Sequence, residues 1–437
     1  MWNHLRSTLC VALVLIAPAY RGCKEDSRPA GGSPQTVNQT STDQGPSGRQ
    51  DAPPACLNLS GSGAVFGVTI TELDKVDERA IIELSKLASA NTRPVLTRVV
   101  FDPIEKTKEA DFEQALNDYR DQVKKIRQVS CVMGEIGDSK YMHFYLLDPG
   151  EVKRDWPVGY RNYEQWTERL AKKMGPLVDV WEFGNEINGD WTGWKDEDYQ
   201  GKSTVELVAK QKAVLQAIAA SYGKLVSLRA DHKIKDDALT AITLFYNDDG
   251  KRPCDEYPEA RMRSWATWAK DLRPDIFGTA RRDVDLVLLS YYVSDCGSVD
   301  GSLNGLEDAF GFLSGVFDDP HTSFGLGEVG YASPDCPTKL KDEKRVDKRA
   351  CQVGQVDYVK SYYTALDPCL RDALGGTKPE PEGHGPVRYV GGYFYWWYLQ
   401  DFVQSKKWQR PTPESPIMAA ARTFGADKCE AGNSPGD

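Results

Sequence analysis

"VDVWEFGNE", Val178 to Glu186, reads as a strand buried on both faces until its last two residues. Val178, Val180, Trp181 and Phe183 crowd both sides of an extended backbone, and β-branched and aromatic side chains suit that conformation. Side chains alternate along a strand, so Val180, Glu182, Gly184 and Glu186 fall on one face. A doubly buried strand that ends on a carboxylate predicts a covered sheet whose strand ends open onto a polar site.

Seven other runs share this character. They are "AVFGVTIT" (Ala64 to Thr71), "VLTRVVFD" (Val95 to Asp102), "VSCVMGEI" (Val129 to Ile136), "LTAITLFYN" (Leu239 to Asn247), "VDLVLLSYY" (Val284 to Tyr292), "FGLGEVGY" (Phe324 to Tyr331) and "VRYVGGYFYWW" (Val387 to Trp397). Between them lie segments of helical period. Phe112, Ala115, Leu116, Tyr119, Val123 and Ile126 draw one apolar stripe, and Tyr163, Trp166, Leu170 and Met174 draw another. Repeated strand-then-helix units predict an α/β fold, a closed eight-stranded parallel β/α (TIM) barrel, with an open doubly wound sheet as the alternative. No Gly-x-Gly-x-x-Gly follows the first strand, which disfavours a dinucleotide-binding version of that alternative.

In such a barrel the residues at the carboxyl ends of the strands face the site. Two carboxylates stand out there: Glu186 on the fourth run and Glu328 in "GLGEVGY" on the seventh, where Leu326 and Glu328 are expected to share a face. The fourth and seventh strands lie nearly across a barrel from each other. Opposed carboxyl groups suit glycoside hydrolysis, in which one protonates the leaving oxygen and the other attacks or activates water. Either Glu taken alone reads more readily as a solvated or loop-capping residue, and it is the pair that points to chemistry.

"FGNEIN" and "LGEVGY" resemble the signatures of the retaining glycoside hydrolases of clan A. The resemblance spans roughly residues 64–424, although the sharp motifs are short. It implies Glu186 as acid/base, Glu328 as nucleophile and Asn185 as the contact to the sugar 2-hydroxyl. It also implies that Arg98 keeps the nucleophile ionised, the competing reading being a barrel-filling arginine paired with Glu182. Tyr292 resembles the sixth-strand tyrosine that hydrogen-bonds the nucleophile, while Tyr291 should face the helices. Trp396 resembles the eighth-strand tryptophan under the cleaved sugar, with Trp397 its competitor. Trp191 and Trp194, after Glu186, suit stacking on sugar C–H faces or ordinary loop packing. Many clan members carry histidines at the ends of strands three and six; here Glu135, Asp138 and Ser290 stand in those places.

The chain has 437 residues and a formal net charge of -10, with no basic stripe, so nucleic acid is not expected as a partner. A neutral poly- or oligosaccharide is. Its five histidines form neither H-x-H nor H-E-x-x-H, and no G-x-S-x-G occurs, so no metal, cofactor or serine-esterase chemistry is expected.

The amino terminus, "MWNHLRSTLCVALVLIAPAYRGC", reads as an export signal over residues 1–22, too short to span a bilayer as a mature helix. Cleavage after Ala19 and lipidation of Cys23 both remain open. Of ten cysteines, the lipoprotein reading leaves eight to pair, and Cys336 with Cys351 closes the shortest loop. Residues 23–60, rich in Gly, Pro, Ser, Thr and Gln, read as a tether. Residues 61–425 then form the barrel and 426–437 a tail. The protein is expected to be exported, either anchored to a membrane face by Cys23 or secreted, and to act as a monomer. Two functions compete: a retaining glycosidase, and a catalytically silent carbohydrate-binding surface lipoprotein on the same barrel. Convergence of both glutamates on one cleft, and labelling of Glu328 by a mechanism-based inhibitor, discriminate them.

Overall fold

In a computed structural model of the chain, the described residues are Cys56, 65–90, 95–106, 108–146, 162–189, 191–195, 198–246, 262–277, 284–292, 303–317, 321–330, 387 and 389–395. Eight strands lie among them: β1 (Val65–Ile70), β2 (Val95–Val100), β3 (Cys131–Glu135), β4 (Val180–Glu182), β5 (Leu239–Phe245), β6 (Leu286–Tyr292), β7 (Ser323–Gly330) and β8 (Tyr389–Tyr395). Each pairs in parallel with the next, and β8 pairs back onto β1, Val65 opposite Gly391. Every strand arises from one of the eight apolar runs, so the expected parallel α/β arrangement is present.

The helices are α1 (Glu78–Ala90), α2 (Glu109–Arg127), α3 (Met142–Tyr145), α4 (Tyr163–Met174), α5 (Thr204–Ala230), α6 (Met262–Leu272), α7 (Pro274–Phe277) and α8 (Leu303–Val316). Their stripes point inward as the periodicity requires. Phe112, Leu116, Val123 and Ile126 of α2 are buried, as are Tyr163, Trp166, Leu170 and Met174 of α4. These side chains meet the outward residues of the strands, including Val99, Val132, Trp181, Ile242, Leu289 and Leu326, in one large apolar cluster. Parallel strands covered in this way are wet on neither face, which explains why their sequences lack a polar alternation.

The inward-facing strand residues form a second, smaller cluster. Leu96, Met133, Val180, Ala241, Leu286, Leu288 and Val390 pack there with Cys131, which is disulfide-bonded to Cys56 at a Cα–Cα distance of 5.6 Å. This cross-link was not singled out by the spacing of the cysteines. Cys336 and Cys351 lie outside the described residues, as do Cys23 and the whole of residues 1–55. No helix among the described residues is long and apolar enough to cross a membrane.

Candidate active site

One pleat beyond the apolar inner cluster, the same strands turn polar. Arg98 on β2, Glu135 on β3, Glu182 on β4, Thr243 on β5, Ser290 on β6 and Glu328 on β7 are all buried. Arg98 links most of them. Its Nε and Nη2 donate to the two oxygens of Glu182 at 2.6 and 2.8 Å, a bidentate fork, while its Nη1 donates to Glu328 Oε1 at 2.6 Å. Nη2 also stands 3.1 Å from Glu135 Oε2. Burial alone would lower the guanidinium pKa, but Glu135, Glu182 and Glu328 outweigh it and hold Arg98 well above its ordinary value. The two readings open for Arg98 are thus compatible in geometry, because one guanidinium reaches both Glu182 and Glu328.

Glu328 owes its orientation to an irregularity that strict alternation misses. Leu289 of β6 pairs with Leu326, but Ser290 pairs with Glu328, so Gly327 is an extra residue on β7. Leu326 packs outward against the helices, whereas Glu328 meets Arg98 inside. The expectation that Leu326 and Glu328 share a face is therefore corrected, because the bulge at Gly327 resets the phase. Glycine is required there: a Cβ would lie 2.8 Å from Thr243 Oγ1 and 2.9 Å from Leu288 Cβ.

Glu186 likewise departs from the simple strand. Regular pairing of β4 stops at Glu182, and Glu186 adopts φ +45°, a left-handed conformation that a residue with a Cβ holds only when its surroundings enforce it. They do so here. The Glu186 carbonyl accepts from Gly189 N at 3.0 Å and from Thr192 Oγ1 at 3.1 Å. Asn188 pins the loop to β5, donating to the Phe245 carbonyl at 2.9 Å and accepting from Phe245 N at 2.6 Å. Gln211 of α5 donates to the Gly189 carbonyl at 2.7 Å.

The Glu186 side chain is half-buried. Burial raises its pKa well above the ordinary carboxylate value, and the negative charge of Glu328 raises it further, with Asp138 adding to both. The Ser290 hydroxyl and Arg98 oppose this shift. Ser290 Oγ is near enough to favour the charged form without the geometry of a formed hydrogen bond.

Asn185, next to Glu186, is buried with its Oδ1 lacking a hydrogen-bond partner among the described residues. Trp191 is half-buried; its Nε1 donates to Ser139 Oγ at 3.1 Å and its ring meets Phe245 edge-on at 5.1 Å. Ser139 Oγ also lies 3.2 Å from Asp138 Oδ1, so the indole is tied to the segment after β3. Trp194 carries the ammonium groups of Lys202 and Lys210 within 5.0 Å of its ring. Tyr291 faces the helices, buried among apolar groups. Tyr292 occupies the last position of β6, opposite Gly330, and its side chain lies outside the described residues, as do Trp396 and Trp397.

In the sequence, Glu135, Asp138 and Ser290 stand out only as residues in place of histidines. Alternation from the inward residues Met133 and Leu288 would have put Glu135 and Ser290 inside the sheet. At the rim, Asp102 Oδ1 lacks a hydrogen-bond partner among the described residues, and burial, helped by Asp138 and Glu72 against the opposing Lys140, pushes its pKa up to about 7. Among the described residues, the one group with metal-ligand spacing is Cys56, Cys131 and Asp179. Its two sulfurs are joined in the disulfide, and Asp179 accepts from Val132 N and Lys235 Nζ, so the donor set does not suit a metal.

No family model matches the sequence. No curated protein matches it either. Among solved structures, an endo-beta-1,4-mannanase from Thermotoga petrophila overlaps 84% of this chain and 77% of its own, at 10% identity and a TM-score of 0.44. A beta-glucosidase from Exiguobacterium marinum overlaps 76% and 89%, at 14% identity and 0.43. A glucosidase from Croceicoccus marinus overlaps 83% and 67%, at 11% identity and 0.43.

Proposed function

We propose that the protein is a retaining glycoside hydrolase that cleaves β-linked poly- or oligosaccharides by double displacement on a closed β/α-barrel. The observation that carries this reading is an asymmetry between two carboxyl groups. Glu328 accepts a charge-assisted hydrogen bond from Arg98 at 2.6 Å, while Glu186 is driven toward its protonated form by burial and by the charge of Glu328. Two carboxyl groups whose environments push their protonation states apart are what acid and nucleophile require.

In the first step Glu328 attacks the anomeric carbon while Glu186 gives its proton to the departing oxygen. The charge on Glu328 is consumed in the glycosyl ester. The charge that helped burial keep Glu186 protonated is then gone, and Glu186, having given up its proton, accepts one from water in the second step. Asn185 Oδ1, buried and without a hydrogen-bond partner among the described residues, is the acceptor offered to the sugar 2-hydroxyl. Trp191 supplies a platform whose orientation is fixed through Ser139. Tyr292 and an eighth-strand tryptophan, Trp396, complete the proposed subsite.

A net charge of -10 and the carboxyl groups of the site favour a neutral sugar over an anionic one. Export, with lipidation at Cys23, would present the barrel to such a substrate at a membrane face, and the protein would act there as a monomer. Retention requires the Glu186 and Glu328 carboxyl groups about 5–5.5 Å apart.

The test is turnover on a panel of neutral β-linked polysaccharides and aryl glycosides. Glu328→Gln should abolish activity, and Glu186→Gln should lower it about 10²–10⁴-fold. Undiminished activity in either variant overturns the assignment. Binding of these polysaccharides without turnover by the native protein would support the silent carbohydrate-binding reading instead.

A further inference from the structure

One guanidinium faces three carboxyl groups in the buried layer above the apolar inner cluster. Arg98, Glu135 and Glu182 have no exposed surface and Glu328 almost none. Ionised carboxylates in such surroundings must be paired and hydrogen-bonded, because a buried charge without compensation has lost its hydration and gained nothing in return. The pairing is unequal. Glu182 receives the two-pronged fork of Arg98 and, in addition, the Thr243 hydroxyl at 2.5 Å. Glu328 receives Nη1. Glu135 has only the flank of Nη2 at 3.1 Å, and both its oxygens lack a hydrogen-bond partner among the described residues.

Among the described residues, the other charged groups that act on Glu135 add no positive charge. Asp138, from the segment after β3, and Glu182 and Glu328 are acidic. On α4, the Tyr163 hydroxyl is held neutral by burial and by the nearby Glu135 and Glu182.

We propose that Glu135 is a positioning residue that stays protonated throughout the reaction cycle, leaving the single positive charge of Arg98 to Glu182 and Glu328. The inference rests on the reading of Glu328 as nucleophile. No bond to Glu135 is made or broken. The proton delivered to the leaving group comes from Glu186, and the charge lost when Glu328 becomes an ester reappears on Glu186, so the total charge of the site is the same in both halves of the cycle. An ionised Glu135 would add a second negative charge beside Glu328 and compete for Nη2. Burial, the largest influence, together with Glu182, Asp138 and Glu328, overrides the opposing pull of Arg98 and raises the Glu135 pKa well above the ordinary carboxylate value.

The test compares Glu135→Gln with the native chain. Gln reproduces the shape and neutrality of a protonated carboxyl group. In the infrared difference spectrum at pH 7, the substitution should remove a protonated-carboxyl C=O band, whereas removal of a carboxylate band would overturn the proposal. The acid limb of the pH–rate profile should stay in place; a displacement by about one pH unit or more to lower pH, as loss of a negative charge beside the nucleophile would cause, would also overturn it.

Should Glu135→Gln fail to fold, the double variant Glu186→Gln, Asp102→Asn gives the same information. A protonated-carboxyl band should persist at pH 7 after those two acids are removed, and its absence would contradict the assignment. The spectroscopic result does not depend on turnover. A protonated Glu135 in a protein without glycosidase activity would therefore sink the proposed function and leave the charge assignment standing, while the reverse result would do the opposite.

Discussion

Leu96, Met133, Val180, Ala241 and Leu288 stand one pleat below Arg98, Glu135, Glu182, Thr243 and Ser290 on the same five strands. Both layers are buried, both face inward, and they differ in chemistry almost completely. The lower layer is what a covered parallel sheet needs to stay folded, since filling it with Leu, Val, Met and Ala removes apolar surface from water and leaves nothing unsatisfied. The upper layer works against folding. Ion pairs in such a place are often no better for stability than well-packed apolar groups of similar size, and here the carboxyl groups outnumber the cation. A polar layer that folding does not require, at the strand ends where a β/α sheet opens, is the physical ground for putting the chemistry there.

The largest break in this comparison should come from Arg98→Met. It leaves Glu135, Glu182 and Glu328 buried without a cation, and denaturant unfolding at pH 7 should show a loss of about 3–5 kcal/mol together with loss of turnover. The deficit should shrink as pH falls and the buried negative charge left without a cation is neutralised. An unchanged deficit at low pH would mean that Arg98 stabilises by packing alone.

Met133→Ala, one pleat below Glu135, should cost about 2–5 kcal/mol through the cavity it leaves, while turnover under folding conditions is retained. Loss of activity without loss of stability would erase the division between the layers.

The smallest effect belongs to the rim. The Asp102 pKa is raised from the ordinary carboxylate value to about 7, so its neutral form contributes stability that is fully present below about pH 4 and is lost as pH rises through 7. Asp102→Asn should therefore match the native chain near pH 4 and exceed it by about 1–3 kcal/mol at pH 8, as read from unfolding midpoints.

Much of this was legible in the sequence. The apolar runs are near-continuous because both strand faces are covered, and the 3.6-residue stripes of α2 and α4 follow from one-sided burial. Glu328 falls within β7 as its apolar run suggests, whereas Glu186 lies beyond Glu182, the last paired residue of β4. What escaped was local backbone geometry. Strict alternation cannot anticipate that Gly327 is an extra residue, because a bulge depends on how β6 and β7 pair across many residues. Nor does "FGNE" reveal that Glu186 turns left-handed, a conformation enforced by Asn188, Thr192 and Gln211 from beyond the strand. The meeting of Arg98 with Glu135 as well as with Glu182 and Glu328 was hidden too. It arises from four strands that meet only when the sheet curls.

The most direct test of the central claim is to trap the first step. Incubating the native protein with an activated 2-deoxy-2-fluoro glycoside, which slows breakdown of the glycosyl-enzyme, and digesting the product should give one peptide, carrying Glu328, heavier by the mass of the sugar. A sugar on Glu186 or on another residue, or full turnover of a cleavable substrate with no covalent intermediate and with inverted anomeric configuration, would contradict the account.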